Sequence, residues 1–400
     1  MTQTNITTDQ LALIALKSQI ILDPFHFLDE SRIPREFGNL TFLVSLDLGS
    51  NNFHRNLPQE MAHLCRLKFL DGNKLVGFIP TSLSNASRLE TLEISYNSLQ
   101  GNIPEGIGNL HNLKVLSILA NQLTGSVPYT IFNISRIEVI AFARNSLSGY
   151  LPNGLCNDLP ILKELYLSKN KLRGHMPTSL SSYAQLQILS LPDNEFDGPI
   201  HSEVGRLSNL QILELGTNHF TGIIPQEIGN LVNLVELAME DNQITGSVPK
   251  SLFNISSLQV LSLWKNNLSG FLPREIGNLT KMHLLQLSGN KLRGEIPKEI
   301  SNFIELKVLR LQSNRFSGQL DMRIFNISGL RTTSLSVNNL SGILPPNICS
   351  ILPSIEELYL AVLSNLVGTI PHSISNCSQL TILELSYNKL TGLFPSSLGY

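Results

Sequence analysis

LQLSGNKLRGEIP, residues 285–297, decides the fold, because the same phrase keeps returning along the chain. It recurs as LSILANQLTGSVP (116–128), LYLSKNKLRGHMP (165–177) and LSLWKNNLSGFLP (261–273), all of the form L-x-L-x-x-N-x-L-x-G-x-I/V/L/M-P. Its asparagine falls at Asn51, Asn73, Asn97, Asn121, Asn145, Asn170, Asn194, Asn218, Asn242, Asn266, Asn290, Asn314, Asn338 and Asn388, and Ser364 is assigned to the missing rung. Most steps are 24 residues. A fixed period of that length marks stacked units rather than a globule. Each unit touches only its neighbours, so one continuous core can extend to any length. Such arrays usually bind partners and rarely catalyse.

One repeat shows the physics. Leu285 and Leu287 alternate with Gln286 and Ser288, the period-2 pattern of a short strand with one buried face. Asn290 ends the strand. A buried amide must satisfy both its donors and its acceptor, and stacked copies allow each asparagine to bond backbone groups of its own and the neighbouring turn. Gly294 suits a tight backbone position, and Pro297 suits the start of a helical turn, where no N–H is needed. Ile300, Phe303, Leu306 and Leu309 then follow at the spacing of a short helix or 3-10 turn. Successive strands must be parallel and adjacent. They are expected to line the concave side, with the wider helical segments on the convex side.

Bulk properties exclude several classes. With 29 Lys and Arg against 31 Asp and Glu, charge offers nothing to nucleic acid or an anionic membrane. No apolar run approaches the roughly 20 residues that span a bilayer. The polar opening MTQTNITTDQ has no secretory apolar region. The nine histidines are scattered, no Ser/His/Asp set is fixed by spacing, and Glu236 and Glu240 read as solvated charges rather than an acid/base pair. The glycines follow the repeat phrase and form no phosphate loop. No cofactor or metal is expected. Cys65, Cys156, Cys349 and Cys377 form no metal spacing. Cys156 and Cys349 share a register eight repeats apart, about 40 Å at strand spacing. All four are expected to be small apolar filler.

The asparagines also act as a coordinate system. Residues two, four and six places before each one point to the concave surface. The candidate ligand-binding residues are Tyr166, Glu214, Glu236, Glu240, Trp264, Lys265, Gln286 and Arg310. Trp264, the single tryptophan, is expected to be exposed at the centre of this mixed-charge patch. Trp and Arg are enriched at binding hot spots, so the patch is expected to dock an extended peptide. The competing reading is a freely varying surface on which Trp264 packs against Lys265 or Gln286. Glycosylation candidates are Asn39, Asn85, Asn133, Asn254, Asn267, Asn278, Asn326, Asn339 and Asn376, with Asn5 a tenth sequon. Seven of these lie 12 residues before a ladder position, on the convex side. Asn109, Asn230 and Asn302 share that register without being sequons, so a structural preference for asparagine explains it equally well.

The L-x-G-x-I-P phrase resembles the plant-type leucine-rich repeats (LRR) of receptor kinases, receptor-like proteins and polygalacturonase inhibitors. EIGNLTKMHLLQLSGN and IFNISSLQVLSLWKNN look like the ectodomain of the receptor-kinase subfamily that includes the flagellin and elongation-factor-Tu receptors. The resemblance implies an α/β solenoid, a right-handed leucine-rich repeat superhelix. Its parallel β-sheet would line the concave face, with short helices or 3-10 turns on the convex face. It implies about 15 repeats over residues 33–400, incomplete at the C-terminal end, after a cap remnant at 1–32 with a helix near 9–22. Leu11, Leu13, Leu16 and Ile20 make that helix's apolar face. The family's secretory leader and cysteine cap are not seen, and neither are the kinase phrases V-A-I-K, H-R-D and D-F-G. The chain therefore reads as a truncated receptor ectodomain.

The expected role is recognition of a peptide or protein ligand in plant cell-surface signalling or innate immunity, with a co-receptor kinase as a further expected partner. The expected place is extracellular, at the plasma membrane, with no insertion by this chain itself. The alternatives are a secreted inhibitor of a polysaccharide-degrading enzyme and a non-functional gene fragment or soluble decoy.

Overall fold

The computed structural model describes residues 32–40, 46–63, 67–151, 159–320, 324 and 326–395. The expected cap helix, Asn5, Cys65 and Cys156 lie outside them. The chain divides into two compact units, Met1–Phe196 and Asp197–Tyr400.

In the first unit seven short strands pair in parallel and in chain order, from Leu46–Asp47 to Ile188–Ser190. In the second unit eight do so, from Ile212–Glu214 to Ile382–Glu384. The register advances one repeat per strand, so Leu261, Leu285 and Leu309 stand side by side. All three are fully buried. A second row of strands follows the ladder positions, as in the parallel pairing of Arg315–Gln319 with Asn338–Ile343. In most of the described repeats the other side is a five-residue 3-10 turn, such as Lys298–Asn302 after Pro297. The Pro297 carbonyl accepts the Ile300 N–H at 3.1 Å, and Ile300, Phe303 and Leu306 are buried.

Adjacent turns pack closely enough to dictate glycine. A Cβ on Gly229 would stand 2.5 Å from the Ser251 carbonyl oxygen of the next repeat. Among the described residues no helix is long and apolar enough to cross a membrane.

The ladder is a closed hydrogen-bond set. Asn290 Nδ2 donates to the carbonyls of Leu263 (2.9 Å), Leu287 (3.1 Å) and Ser288 (3.1 Å). Its Oδ1 accepts the Leu268 N–H at 3.0 Å. Two of these partners, Leu263 and Leu268, belong to the preceding repeat, so each amide ties two rungs together.

Two expectations need correcting. The missing rung is held by Leu363, not Ser364. Leu363 pairs with Asn338 and is 3% exposed. The residue before it, Val362, takes the left-handed conformation at φ 54° that precedes ladder positions elsewhere. The repeat carries one extra residue, accommodated as a register shift between Asn338 and Ser341. That residue lies after the rung, so counting back from Leu366 lands one place late. Ser364 instead donates to Asn339 Oδ1 at 3.1 Å. The second correction concerns cysteine: Cys349 and Cys377 form a disulfide. Cys349 sits in the short helix Ile348–Ile351, and Cys377 directly follows the 3-10 turn His372–Asn376 of the following repeat. Same-side positions on adjacent repeats come within disulfide reach, whereas positions eight repeats apart do not.

Candidate functional site

Most of the candidate residues stand on the strand face of the second unit. An inward residue anchors each three-residue strand of this face, leucine in all but Thr332–Ser334, where it is Thr333, so the alternate residues are held outward at strand spacing, about 4.8 Å per rung. Glu214, Glu236, Gln286 and Arg310 all belong to these strands and are half-buried. Glu240 and Trp264 follow their strands, two places before Asn242 and Asn266, and are half-buried too. Tyr166 belongs to the first unit, where its hydroxyl donates to Glu164 Oε2 at 3.0 Å.

Trp264 is therefore less open than expected. Lys265 reaches over it, with Nζ 5.9 Å from the ring centre. The same ammonium bonds Asp241 Oδ1 at 2.8 Å. Lys265 itself lies at the turn, in the left-handed region at φ 55°, and it borders the strand face rather than lining it.

The electrostatics are lopsided. Positions two, four and six before the ladder hold five glutamates in this unit (Glu214, Glu236, Glu240, Glu357 and Glu384) and one arginine, Arg310. Burial pushes the Glu236 carboxyl above its ordinary value, and the charges of Glu214 and Glu240 add to the rise. Ala238 and Gly216 are buried and small, and form a floor between these three carboxylates.

A cavity of about 330 Å³ opens further along the same face. Arg310 and Gln312 wall one side, Glu357, Tyr359 and Glu384 the other, and Ser334 and Ser336 form the floor. Burial raises the Tyr359 phenol, and the neighbouring Glu357 raises it further. Glu357 and Tyr359 were missed in sequence because they belong to the repeat with the extra residue. Counting forward from Leu358 and Leu360, instead of back from Leu366, would have found them.

Of the glycosylation candidates, Asn39, Asn85, Asn133, Asn254, Asn278 and Asn376 each end a 3-10 turn and are exposed. Asn326 and Asn339 are exposed as well, and Asn267 is half-buried. No three His, Cys, Asp or Glu side chains among the described residues converge to hold a metal ion.

The family pattern described as "Leucine-rich repeat region" matches residues 28–126 and 167–393. Several solved structures superimpose on this chain. The plant peptide hormone receptor RGFR1 in complex with RGF2 is 31% identical with a TM-score of 0.76, covering 92% of this chain and 66% of that one. PEPR1 with AtPEP1 is 30% identical with a TM-score of 0.76, covering 91% and 58%. The Arabidopsis receptor kinase HAESA, in complex with the peptide hormone IDA and the co-receptor SERK1, is 27% identical with a TM-score of 0.77, covering 92% and 70%. The chain thus spans less than two thirds of the first two. Among curated protein sequences, none matches it.

Proposed function

Because this chain belongs to the leucine-rich repeat family, we propose that it is the ligand-recognition region of a plant receptor-like protein and binds a peptide on its strand face. The observation that carries this reading is the gathering of Trp264, Arg310 and five glutamates on that face of the second unit, beside a cavity of about 330 Å³. Peptides read by such a face combine an aromatic anchor with charged partners. The peptide complexes of RGFR1 and HAESA support the same reading. A role in cell-surface signalling or innate immunity follows from it, as does a co-receptor kinase as second partner. The Cys349–Cys377 disulfide supports folding in an oxidising compartment. Exposed sequons at the ends of the 3-10 turns support glycosylation away from the strand face.

A peptide-display selection against the full chain tests the proposal. Selected peptides should lose binding to Gln286→Arg on the strand face and keep it with Ser256→Arg on the 3-10 face. The opposite pattern, or no selectable peptide, would overturn it.

A further inference from the structure

Five buried side-chain oxygens among the described residues have no hydrogen-bond partner: Glu240 Oε2, Ser288 Oγ, Glu299 Oε2, Gln312 Oε1 and Thr333 Oγ1. Buried polar groups are nearly always paired, so each exception calls for a cause. Three of the five share one row, the position two before the ladder, on rungs around Trp264. The row reads Glu240, Trp264, Ser288, Gln312 and Ser336.

Serine in this row has a partner elsewhere. Ser336 Oγ accepts the Ala361 N–H at 3.0 Å. Ser95, at the same position of another repeat, accepts the Leu119 N–H at 3.1 Å. Both bonds run to the next rung. Ser288 is 6% exposed, yet its hydroxyl makes no such bond. In the same row Glu240 Oε2, two rungs before, and Gln312 Oε1, one rung after, also lack a partner.

The Glu240 end carries charge. Its carboxylate lies over Gly216, where a Cβ would stand 2.6 Å from Oε1. Glu236 is close enough for its own ionisation to feel Glu240. Lys265, beside Trp264 on the next rung, is engaged by Asp241. No described cation pairs with Glu236 or Glu240.

We propose that an extended ligand segment lies along this row, with a basic side chain held between Glu236 and Glu240 beside the Trp264 ring. Its backbone N–H groups donate to Gln312 Oε1 and Ser288 Oγ once these side chains turn outward, since both oxygens are buried in the unliganded chain. Three rungs separate Glu240 from Gln312, roughly 14 Å, the length of about four extended residues. The assignment rests on the strand face being the peptide-binding face, and it adds the row and the charge of the bound residue. The row passes one place to the side of Gln286 and Arg310, beside the ladder. Desolvated carboxylates next to an aromatic face favour a cation.

Trp264 is the single tryptophan, so its emission reports on this row alone. The probes are two sets of acetylated, amidated heptapeptides, one with a single lysine at a defined position and one with glutamate in its place. The lysine set should change Trp264 emission saturably, with an affinity that falls as salt rises. Glu240→Gln should weaken it at least tenfold, and Gln312→Ala about threefold. The glutamate set should leave emission unchanged. Equal response to both sets, no saturable response, or full affinity in Glu240→Gln would overturn the proposal. If lysine peptides bind, and Gln286→Arg abolishes their binding while Glu240→Gln does not, the strand face stands and the row falls.

Discussion

The guanidinium of Arg293 stands 5.0 Å from the centre of the Phe271 ring, which belongs to the repeat before it. The ring packs onto Gly294, at φ +82°, leaving no room for a Cβ there. Arg173 and Tyr150 repeat the arrangement at 5.2 Å, around Gly174. Arginine precedes the glycine of the phrase in these two repeats alone, and both follow a repeat with an aromatic residue just after its own glycine. The exposed rings are thus sandwiched between a glycine and a cation of the next rung. The motif explains how Phe271 can sit on the surface at 60% exposure.

Gly294→Ala tests that sandwich. The left-handed backbone costs an alanine about 1 to 2 kcal/mol, and the clash with Phe271 adds about 1 to 3 kcal/mol. Denaturant unfolding should show both. Adding Phe271→Ala should return the clash portion and leave the backbone portion, and an unchanged double variant would contradict the arrangement.

Asn290→Ala should be more damaging than its volume suggests. It orphans the Leu268 N–H and takes one donor from each of the Leu263, Leu287 and Ser288 carbonyls, which keep Asn266, Asn314 and the Lys265 N–H respectively. The unsatisfied N–H costs about 1 to 3 kcal/mol, and the weakened tie between rungs adds to it. Hydrogen exchange should accelerate first in the rungs on either side.

Reduction of Cys349–Cys377, or Cys377→Ser, should lower stability by about 3.6 kcal/mol, the loop-closure value for a separation of 28 residues. Limited proteolysis should then cut earlier between residues 340 and 390 than elsewhere. Unchanged resistance under reducing conditions would count against a stabilising role.

Glu236 makes a pH prediction. Its folded-state pKa is raised by burial and by Glu214 and Glu240, so the protonated form is favoured in the folded chain. Its stabilising contribution is full below the ordinary value of 4.5 and is lost as pH rises through the folded value. Glu236→Gln should therefore stabilise the chain above that window and match the parent below it. The difference between the two unfolding curves across pH 4 to 7 measures this directly.

For a selected peptide, Trp264→Ala and Arg310→Ala should each weaken binding about tenfold or more, the range of a hot-spot residue. Isothermal titration would measure it. If neither substitution changes affinity, the patch is not the contact surface.

Much of this was legible before any coordinates. The period, the strand face and the asparagine register follow from local pattern, because every repeat solves the same packing problem with the same residues. What failed was local counting across an irregularity. The extra residue near Ser364 moved the apparent rung by one place and hid Glu357 and Tyr359. Cysteine pairing failed for a related reason: only the stacking of a short helix on the next 3-10 turn brings Cys349 to Cys377.

Sequence by itself determined the repeat, because hydrophobic spacing and a buried amide leave one economical way to stack. It also determined which residues face outward, since strand alternation is a local property. Tertiary structure decided how those outward residues meet. It laid Lys265 over Trp264, placed Glu236 and Glu240 where their charges add, and left one oxygen each of Glu240, Ser288 and Gln312 without a hydrogen-bond partner. Those relations depend on rotamers and rung-to-rung distances, which no period in the sequence encodes.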